Sequence, residues 1–440
     1  MRGFRPLRPD QDPFYRPPAG FEHRAPGELL RSRVVELAVF GVVPLRVSAW
    51  QLLYRTSDLN GVPEASVTTV LLPRGAVPDG RRPLISFQCA IDALAPQCFP
   101  SYALRRGARA LGAIPQLEVP LIAAALARGW AVSVPDHGGP GGRFGAPREP
   151  GYRALDGIRA ALAFGSLGLD ADTPVALWGY SGGGLATVWA AEVAARYAPE
   201  LAIVGAVAGS PVGDPGSAFV RLNGTLFAGF AMVFLAGLRR TYPTLEPIAQ
   251  LRVRPRYLDM LAKAEVGVTL PLLARLARRD VGRYSDLDVD TLLGLPEMRR
   301  IITDIRPGVV APTMPLLIVQ GVNDEIIAVA DIDALVERYV GAGARVEYLR
   351  DRFSTHFLLQ FIAIPTMLDW IADRLADIPA PSGTRTVRSV AASRRASRGH
   401  RTMARLSARL LTGRPIRSEP LVPQVDRAGQ HPDATRLTGS

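Results

Sequence analysis

Cysteines and long apolar runs are scarce in this sequence, and each shortage argues against a class of protein. The two cysteines, Cys89 and Cys98, are too few for a disulfide framework, and with eight residues between them a local bridge and two buried thiols are both open. The apolar run nearest to a membrane span, residues 224–238, is too short to cross a bilayer. The first ten residues lack the apolar segment of a secretory signal. Either the leader is missing from this sequence, or the expected location is cytoplasmic or envelope-associated.

Lysine is almost absent, because Lys263 is the only one among 52 basic residues. The arginines are unevenly spread. Residues 381–440 hold 12 arginines and 3 acids, a net charge of +9, whereas the other 380 residues hold 40 basic and 37 acidic groups, a net charge of +3. Since the body of the chain is nearly neutral, we predict no nucleic-acid partner for it.

Composition also sets the C-terminal segment apart from the rest of the chain. Residues 380–440 are rich in Ser, Arg, Ala, Gly and Pro, which is typical of disorder. We therefore predict a disordered, Arg-rich tail, apart from a short helix near residues 403–411. A peripheral contact with anionic membrane is the alternative interpretation of its charge.

Between an extended arm (residues 1–30) and this tail, strand and helix patterns alternate. Residues 34–72 predict an antiparallel hairpin, and the apolar runs that follow predict buried strands separated by amphipathic helices. Such alternation is typical of a mostly parallel sheet with helices on both faces. The strand pattern stops over residues 214–307, which predicts a helical cap inserted into an α/β core formed by residues 31–213 and 308–379.

The turn Gly179-Tyr-Ser-Gly-Gly183 places Ser181 between a predicted strand and a predicted helix. This is the setting of a nucleophile elbow, a strained turn in which the flanking positions must be small because strand and helix nearly collide. A Gly-rich structural turn is the alternative. A serine hydroxyl needs a neighbouring base to become a nucleophile, and that base is normally a histidine held by a carboxylate.

Elimination points to one histidine, since in α/β-hydrolases the chain order is Ser, acid, His. His23 and His137 precede Ser181, and His400 and His431 lie in the tail. His356 is left, in a predicted loop after the strand 345–349, with a surface histidine as the alternative interpretation.

The acid should follow the preceding strand, and Asp324 lies in the loop after residues 317–320, at the carboxyl end of that strand. Glu325, Asp331 and Asp351 are the alternatives. For the oxyanion, the N–H of Gly182 supplies one donor, and the loop that begins at Gln88 supplies the second. The Asp136-His137 loop either shapes the pocket floor or is a plain turn.

Several motifs together resemble the secretory lipase family typified by lipase A of the yeast Candida antarctica, in its actinobacterial branch. The resemblance runs from Asp12 to about Ala376. It rests on Asp12-Pro-Phe-Tyr-Arg-Pro-Pro-Ala-Gly-Phe, Pro26-Gly-Glu-Leu-Leu-Arg-Ser-Arg, Ser86-Phe-Gln-Cys-Ala-Ile-Asp-Ala-Leu-Ala-Pro-Gln-Cys-Phe-Pro-Ser-Tyr, Pro135-Asp-His-Gly-Gly-Pro, Gly179-Tyr-Ser-Gly-Gly and Gln320-Gly-Val-Asn-Asp-Glu.

The resemblance implies an α/β-hydrolase fold with a Ser-Asp-His triad, matching Ser181, Asp324 and His356. It implies that Asp92 helps to form the oxyanion hole. It also implies an acyl-binding tunnel in the cap, where the matching residues are Leu226, Phe227, Phe230 and Phe234. Members of the family are mostly secreted, and the tail lies outside the resemblance.

We therefore expect hydrolysis of carboxylic esters, with acylglycerols as the leading substrates, and neither a metal nor an organic cofactor. Two alternatives stay open. The same acyl-enzyme could pass its acyl group to a hydroxyl of an envelope lipid or sugar, or the chain could be a non-catalytic lipid-binding protein of the envelope.

Overall fold

The computed structural model describes residues 5–75 and 82–416. Ten of its strands form one sheet, in which β6 to β12 run parallel to one another, while β5 pairs antiparallel with β7, and β4 and β1 continue the sheet in antiparallel fashion beyond β5. The order across the sheet is β1-β4-β5-β7-β6-β8-β9-β10-β11-β12, with β2 and β3 paired separately. The strands are β1 (Leu29–Val34), β2 (Leu37–Val39), β3 (Val43–Leu45), β4 (Ser48–Ser57), β5 (Pro63–Leu72), β6 (Leu84–Gln88), β7 (Ala131–Pro135), β8 (Val175–Tyr180), β9 (Ile203–Gly209), β10 (Leu316–Gly321), β11 (Val346–Asp351) and β12 (Gly383–Val387).

Helices cover both faces of this sheet, which explains why β8 is buried along its whole length. On one face, α4, α5 and α13 share an apolar core with the cap, and on the other face α3, α15 and α16 form a second core. The helices are α1 (Pro100–Ala103), α2 (Ile114–Leu117), α3 (Val119–Ala127), α4 (Glu149–Leu162), α5 (Gly182–Tyr197), α6 (Pro215–Leu222), α7 (Ala228–Thr241), α8 (Leu245–Arg252), α9 (Pro255–Ala264), α10 (Thr269–Leu276), α11 (Val289–Gly294), α12 (Pro296–Asp304), α13 (Val329–Gly341), α14 (His356–Ile362), α15 (Ile364–Leu375) and α16 (Arg394–Leu411).

The insert between β9 and β10 consists of helices. From Pro215 to Asp304, a stretch that the structure describes throughout, the chain forms α6 to α12 and one short 3-10 turn, with no strand. Helix α7 packs on α6, α9 and α10, and most of the buried apolar residues of these helices belong to the core that the cap shares with the sheet. This is the stretch for which the sequence predicts a cap.

The N-terminal arm is held by its own motif. In the described part of residues 1–30 the chain makes two 3-10 turns before β1 begins. Asp12 accepts a hydrogen bond from the N–H of Phe14 and pairs with Arg33 at 2.7 Å. The guanidinium of Arg33 in turn lies 4.0 Å from the centre of the Phe14 ring. The arm motif therefore attaches the N-terminal arm to β1 through Arg33.

The prediction of a disordered tail is wrong for residues 380–416, although the short helix predicted near residues 403–411 does lie within α16. Strand β12 adds to the sheet edge in parallel with β11, and α16 packs against α3 and α15. Leu406 and Leu410, one helical turn apart, are 5% and 4% exposed. The reason is that the apolar residues of this segment recur at helical spacing, a pattern hidden by its overall composition. Residues 417–440 lie outside the described residues, so there the prediction stays untested.

Candidate active site

Ser181 sits at the carboxyl end of the central strand β8, immediately before α5. Its backbone has φ 54° and ψ −121°, a strained conformation for a residue with a side chain. A Cβ placed on Gly179 would overlap the carbonyl oxygen of Gly183, and one on Gly183 would overlap that of Gln88. The turn therefore needs its glycines because strand, turn and helix approach this closely.

His356 follows β11, whose carboxyl end lies at the same edge of the sheet as the carboxyl end of β8. It is the first residue of α14 rather than a loop residue, and its Nε2 lies 2.9 Å from Ser181 Oγ. Its Nδ1 lies 2.8 Å from Oδ2 of Asp324. If Nδ1 carries the proton donated to the carboxylate, Nε2 is free to accept the hydroxyl proton of the serine.

Asp324 is held as a carboxylate by a dense set of donors. Its Oδ1 accepts the N–H groups of Ile326 and Ile327 at 2.9 and 2.7 Å, and its Oδ2 accepts from Gln320 Nε2 at 3.1 Å. Burial alone would raise the pKa of this carboxyl, but His356 and the two N–H groups outweigh it and lower the pKa. Asp324 thus stays ionised beside the imidazole.

The three alternative acids are placed differently. Glu325 accepts the backbone N–H of His356 at 2.8 Å, so it supports the start of α14. Asp351 accepts from the backbone and hydroxyl of Ser354 at 2.8 and 2.9 Å. Asp331 lies in the first turn of α13. Asp324 is the acid that the structure places against the ring nitrogen.

The two residues predicted to form the oxyanion hole, Gly182 and Asp92, lie next to each other. Gly182 is the first residue of α5, so its N–H belongs to the unpaired donors at a helix N-terminus. Asp92 is buried with φ 43°, and a Cβ on Gly182 would overlap its Oδ1. Burial raises the pKa of Asp92 to about 6, against the lowering effect of His356. Its Oδ1 has no hydrogen-bond partner among the described residues.

A buried carboxyl that sequence reasoning missed connects the two halves of this site. Glu118 is fully buried and accepts the N–H of Ala90 at 2.9 Å and the side-chain amide of Gln360 at 2.9 Å. Ala90 belongs to the Asp92 loop, and Gln360 lies one turn after His356 on α14. The available signal was a lone acid within an otherwise apolar helical stretch.

The Asp136-His137 loop supports the Asp92 loop from outside. His137 Nε2 lies 2.7 Å from the carbonyl oxygen of Cys89, and burial lowers the pKa of this histidine to about 4. A neutral ring can donate to that carbonyl. Asp136 accepts the N–H of Ser101 at 2.9 Å, and burial raises its pKa to about 7. The loop therefore braces the site rather than forming a plain turn.

Both cysteines are buried free thiols.

An apolar cavity opens at Ser181 and runs beneath the cap. Of the four residues matched to an acyl tunnel, Phe230 and Phe234 line it. Leu226 is 59% exposed and Phe227 faces the ring of Phe357 at 6.2 Å, so neither lines the cavity. The lining residues are Asp92, Phe144, Gly145, Ser181, Gly182, Leu185, Val212, Pro215, Ala218, Phe219, Leu222, Phe230, Ala231, Phe234, Ile326 and Ile327.

Two searches over the described residues bear on other kinds of site. No group of three or more His, Cys, Asp or Glu side chains there is arranged to hold a metal ion. None of the helices in residues 5–75 and 82–416 has both the length and the apolar character to cross a bilayer.

Comparison with known proteins places this chain among lipases. The profile of the family described as secretory lipase matches residues 104–383. A protein of Mycobacterium tuberculosis named "probable inactive lipase" is 49% identical over 96% of this chain and 95% of its own length. Lipase A of Arthroderma benhamiae is 37% identical over 87% of this chain and 82% of its own length.

The solved structure of Candida antarctica lipase A matches with a TM-score of 0.81 and 27% identity, covering 93% of this chain and 98% of that one. This match confirms the predicted α/β-hydrolase fold. Since the family profile also spans more than half of the sequence, the chain belongs to the secretory lipase family.

Proposed function

We propose that this chain hydrolyses carboxylic esters through an acyl-enzyme on Ser181, with acylglycerols as its preferred substrates. The observation that carries the proposal is the continuous contact from Ser181 Oγ to His356 Nε2, at 2.9 Å, and from His356 Nδ1 to Asp324, at 2.8 Å. Ser181 also lines an apolar cavity. Such an arrangement supplies a nucleophile, a base and a site for an acyl chain.

In the proposed reaction, His356 Nε2 takes the proton of Ser181 as its oxygen bonds to the ester carbonyl carbon. The carbonyl oxygen becomes an oxyanion beside the Gly182 N–H and the Asp92 loop. Breaking the bond to the alkoxy oxygen releases the alcohol, which leaves with the proton returned by His356. Water then attacks the acyl-enzyme by the same route, and the carboxylic acid departs. Asp324 stabilises the imidazolium formed in each half-reaction.

The cavity favours esters with an apolar acyl part. Its apolar walls include Leu185, Ala218 and Phe219, together with Phe230 and Phe234 of α7. Burying each methylene group of an acyl chain against such walls contributes about 0.8 kcal/mol. We therefore expect the specificity constant to rise with acyl length until the cavity is filled.

A non-catalytic lipid binder is the competing function, because a relative that is 49% identical is named a probable inactive lipase. The geometry of Ser181, His356 and Asp324 favours catalysis. Transfer of the acyl group to a hydroxyl acceptor would use the same acyl-enzyme, so the products distinguish it from hydrolysis.

The test combines a p-nitrophenyl ester series of rising chain length with a fluorophosphonate probe. Wild type should hydrolyse the esters and be labelled, whereas Ser181→Ala should lose several powers of ten in kcat and the label. Ser166→Ala, at an exposed serine, is the matched control and should behave as wild type. An unlabelled wild type, or Ser181→Ala with full activity, would refute the proposal. Ester products formed with added alcohols would indicate acyl transfer.

A further inference from the structure

Helix α16 is fixed to the body by one of its faces. Ala396, Leu406 and Leu410 are buried, and the helix packs on α3 and α15. Near its start, Arg395 pairs with Asp369 at 2.8 Å and with Asp373 at 3.1 Å, both on α15. The rotation of α16 about its own axis is therefore defined, and so is the face that it turns to solvent.

The outward face of α16 carries a row of arginines. The spacing between successive members is four, three, four and four residues, which at about 100° per residue keeps all five within an arc of about 80°. The row extends about 22 Å along the helix, and each member is exposed. This arginine stripe consists of Arg394, Arg398, Arg401, Arg405 and Arg409.

Among the described residues, no acidic side chain neutralises the stripe. None of its five guanidinium groups forms an ion pair there, whereas some other exposed arginines, such as Arg24 and Arg300, pair with acids. Residues 380–416 contain nine arginines and neither Asp nor Glu. The acids of α15 nearest to the helix are already occupied by Arg395. The stripe therefore presents uncompensated positive charge along a straight line.

We propose that the arginine stripe docks this protein onto an anionic lipid bilayer, with α16 lying parallel to the membrane plane. Two features favour a bilayer over a nucleic acid. The helix carries no Phe, Tyr or Trp side chain on which bases could stack. The row is straight, and each arginine near an anionic surface adds to the attraction. The inference rests on α16 alone and does not depend on the proposed esterase activity.

The experiment measures co-sedimentation of the full chain with phosphatidylcholine vesicles, with and without 30% phosphatidylglycerol. A stripe variant, Arg398→Gln/Arg401→Gln/Arg405→Gln, is compared with Arg254→Gln/Arg256→Gln/Arg275→Gln. The latter removes the same charge from exposed arginines of the cap that form no ion pair within the described residues. We expect the stripe variant to bind anionic vesicles roughly 100-fold more weakly than wild type and the cap variant to stay within about threefold.

Wild-type binding should require phosphatidylglycerol and weaken with added salt. Equal loss in both variants, undiminished binding of the stripe variant, or equal binding to neutral vesicles would overturn the proposal. Tighter stripe-dependent binding to a duplex RNA than to anionic vesicles would overturn it in favour of a nucleic-acid partner. Both variants should keep wild-type activity on a soluble short-chain ester, which separates this result from failure of the esterase proposal.

Discussion

Around His356 the polar atoms that join Ser181, His356 and Asp324 meet partners at 2.7 to 3.1 Å, whereas along α16 five exposed guanidinium groups have no acidic partner among the described residues. In the first region a donor or acceptor has one position that satisfies it. In the second, the charges act through their sum, and their separate positions matter less. Single substitutions should therefore be severe near Ser181 and graded on the stripe.

The same contrast exists within α16 itself. Its inward face is apolar and closely packed, and its outward face is charged and exposed. The inward face determines whether the helix is ordered, and the outward face determines what it can bind. The three predictions below test whether this division between fixed contacts and summed charge is real.

The largest effect is expected at Gly182. A Cβ at this position overlaps Asp92 Oδ1 and lies 3.2 Å from its Cγ, so Gly182→Ala should turn the Asp92 carboxyl away from the proposed oxyanion site. Loss of oxyanion stabilisation should lower kcat roughly 100- to 1,000-fold. Only a short side chain has to move, so thermal unfolding should change little.

Gly341→Ala is the matched control, because its added Cβ would meet nothing within 4 Å. It should leave kcat on a p-nitrophenyl ester unchanged. If Gly182→Ala kept more than a tenth of the wild-type kcat, the proposed role of the Asp92 loop in holding the oxyanion would be wrong.

The next effect concerns the inward face of α16. Leu406→Ala should reduce the free energy of unfolding by roughly 2–4 kcal/mol, because it leaves a cavity in a packed core. Leu411→Ala, five residues later and 66% exposed, should change it by less than about 0.5 kcal/mol. Urea denaturation measures both. Equal values for the two variants would mean that α16 is not packed in solution, and the prediction of a disordered tail would then stand.

Whether a site residue can be predicted from the sequence depends on how close its partners lie along the chain. The turn around Ser181 is recognisable because strand, glycines and helix are adjacent in the chain. His356 followed by elimination, and Asp324 followed from its place after β10. Glu118 was missed because its partners, Ala90 and Gln360, are 28 and 242 residues away. Contacts between residues so far apart in the chain depend on how α3 packs against the sheet, and a local sequence pattern does not predict that packing.

The tail prediction failed for a different reason. Composition averages over a segment, and the arginines of residues 380–416 dominate that average. The apolar positions at Ala396, Leu406 and Leu410 already had helical spacing, but their packing partners lie on α3 and α15. A similar limit applies to the cap. Of the four residues matched to the acyl tunnel, Phe230 and Phe234 line the cavity and the other two do not. Helical spacing alone does not show which side of α7 faces Ser181.

The smallest predicted effect sharpens the description of the buried site. Burial raises the pKa of Glu118 from 4.5 to about 8, against hydrogen bonds that lower it. The folded chain therefore retains a proton between pH 4.5 and 8 that the unfolded chain has lost. The contribution of Glu118 to the free energy of unfolding is therefore fully present below pH 4.5 and is lost as the pH rises towards 8. In Glu118→Gln the fall in Tm from pH 5 to pH 8 should be a few degrees smaller than in wild type.

The control for this measurement is Glu337→Gln, an exposed acid of α13 whose replacement should leave the wild-type slope of Tm against pH intact. The amide introduced by Glu118→Gln can still accept the N–H of Ala90 and, after rotation of the Gln360 amide, donate to the Gln360 side chain. The Asp92 loop and α14 should therefore stay linked, and kcat should stay within about tenfold of wild type. A slope unchanged by Glu118→Gln would show that this carboxyl is ionised at neutral pH. The buried site would then tolerate an unneutralised charge, as the arginine stripe does in solvent.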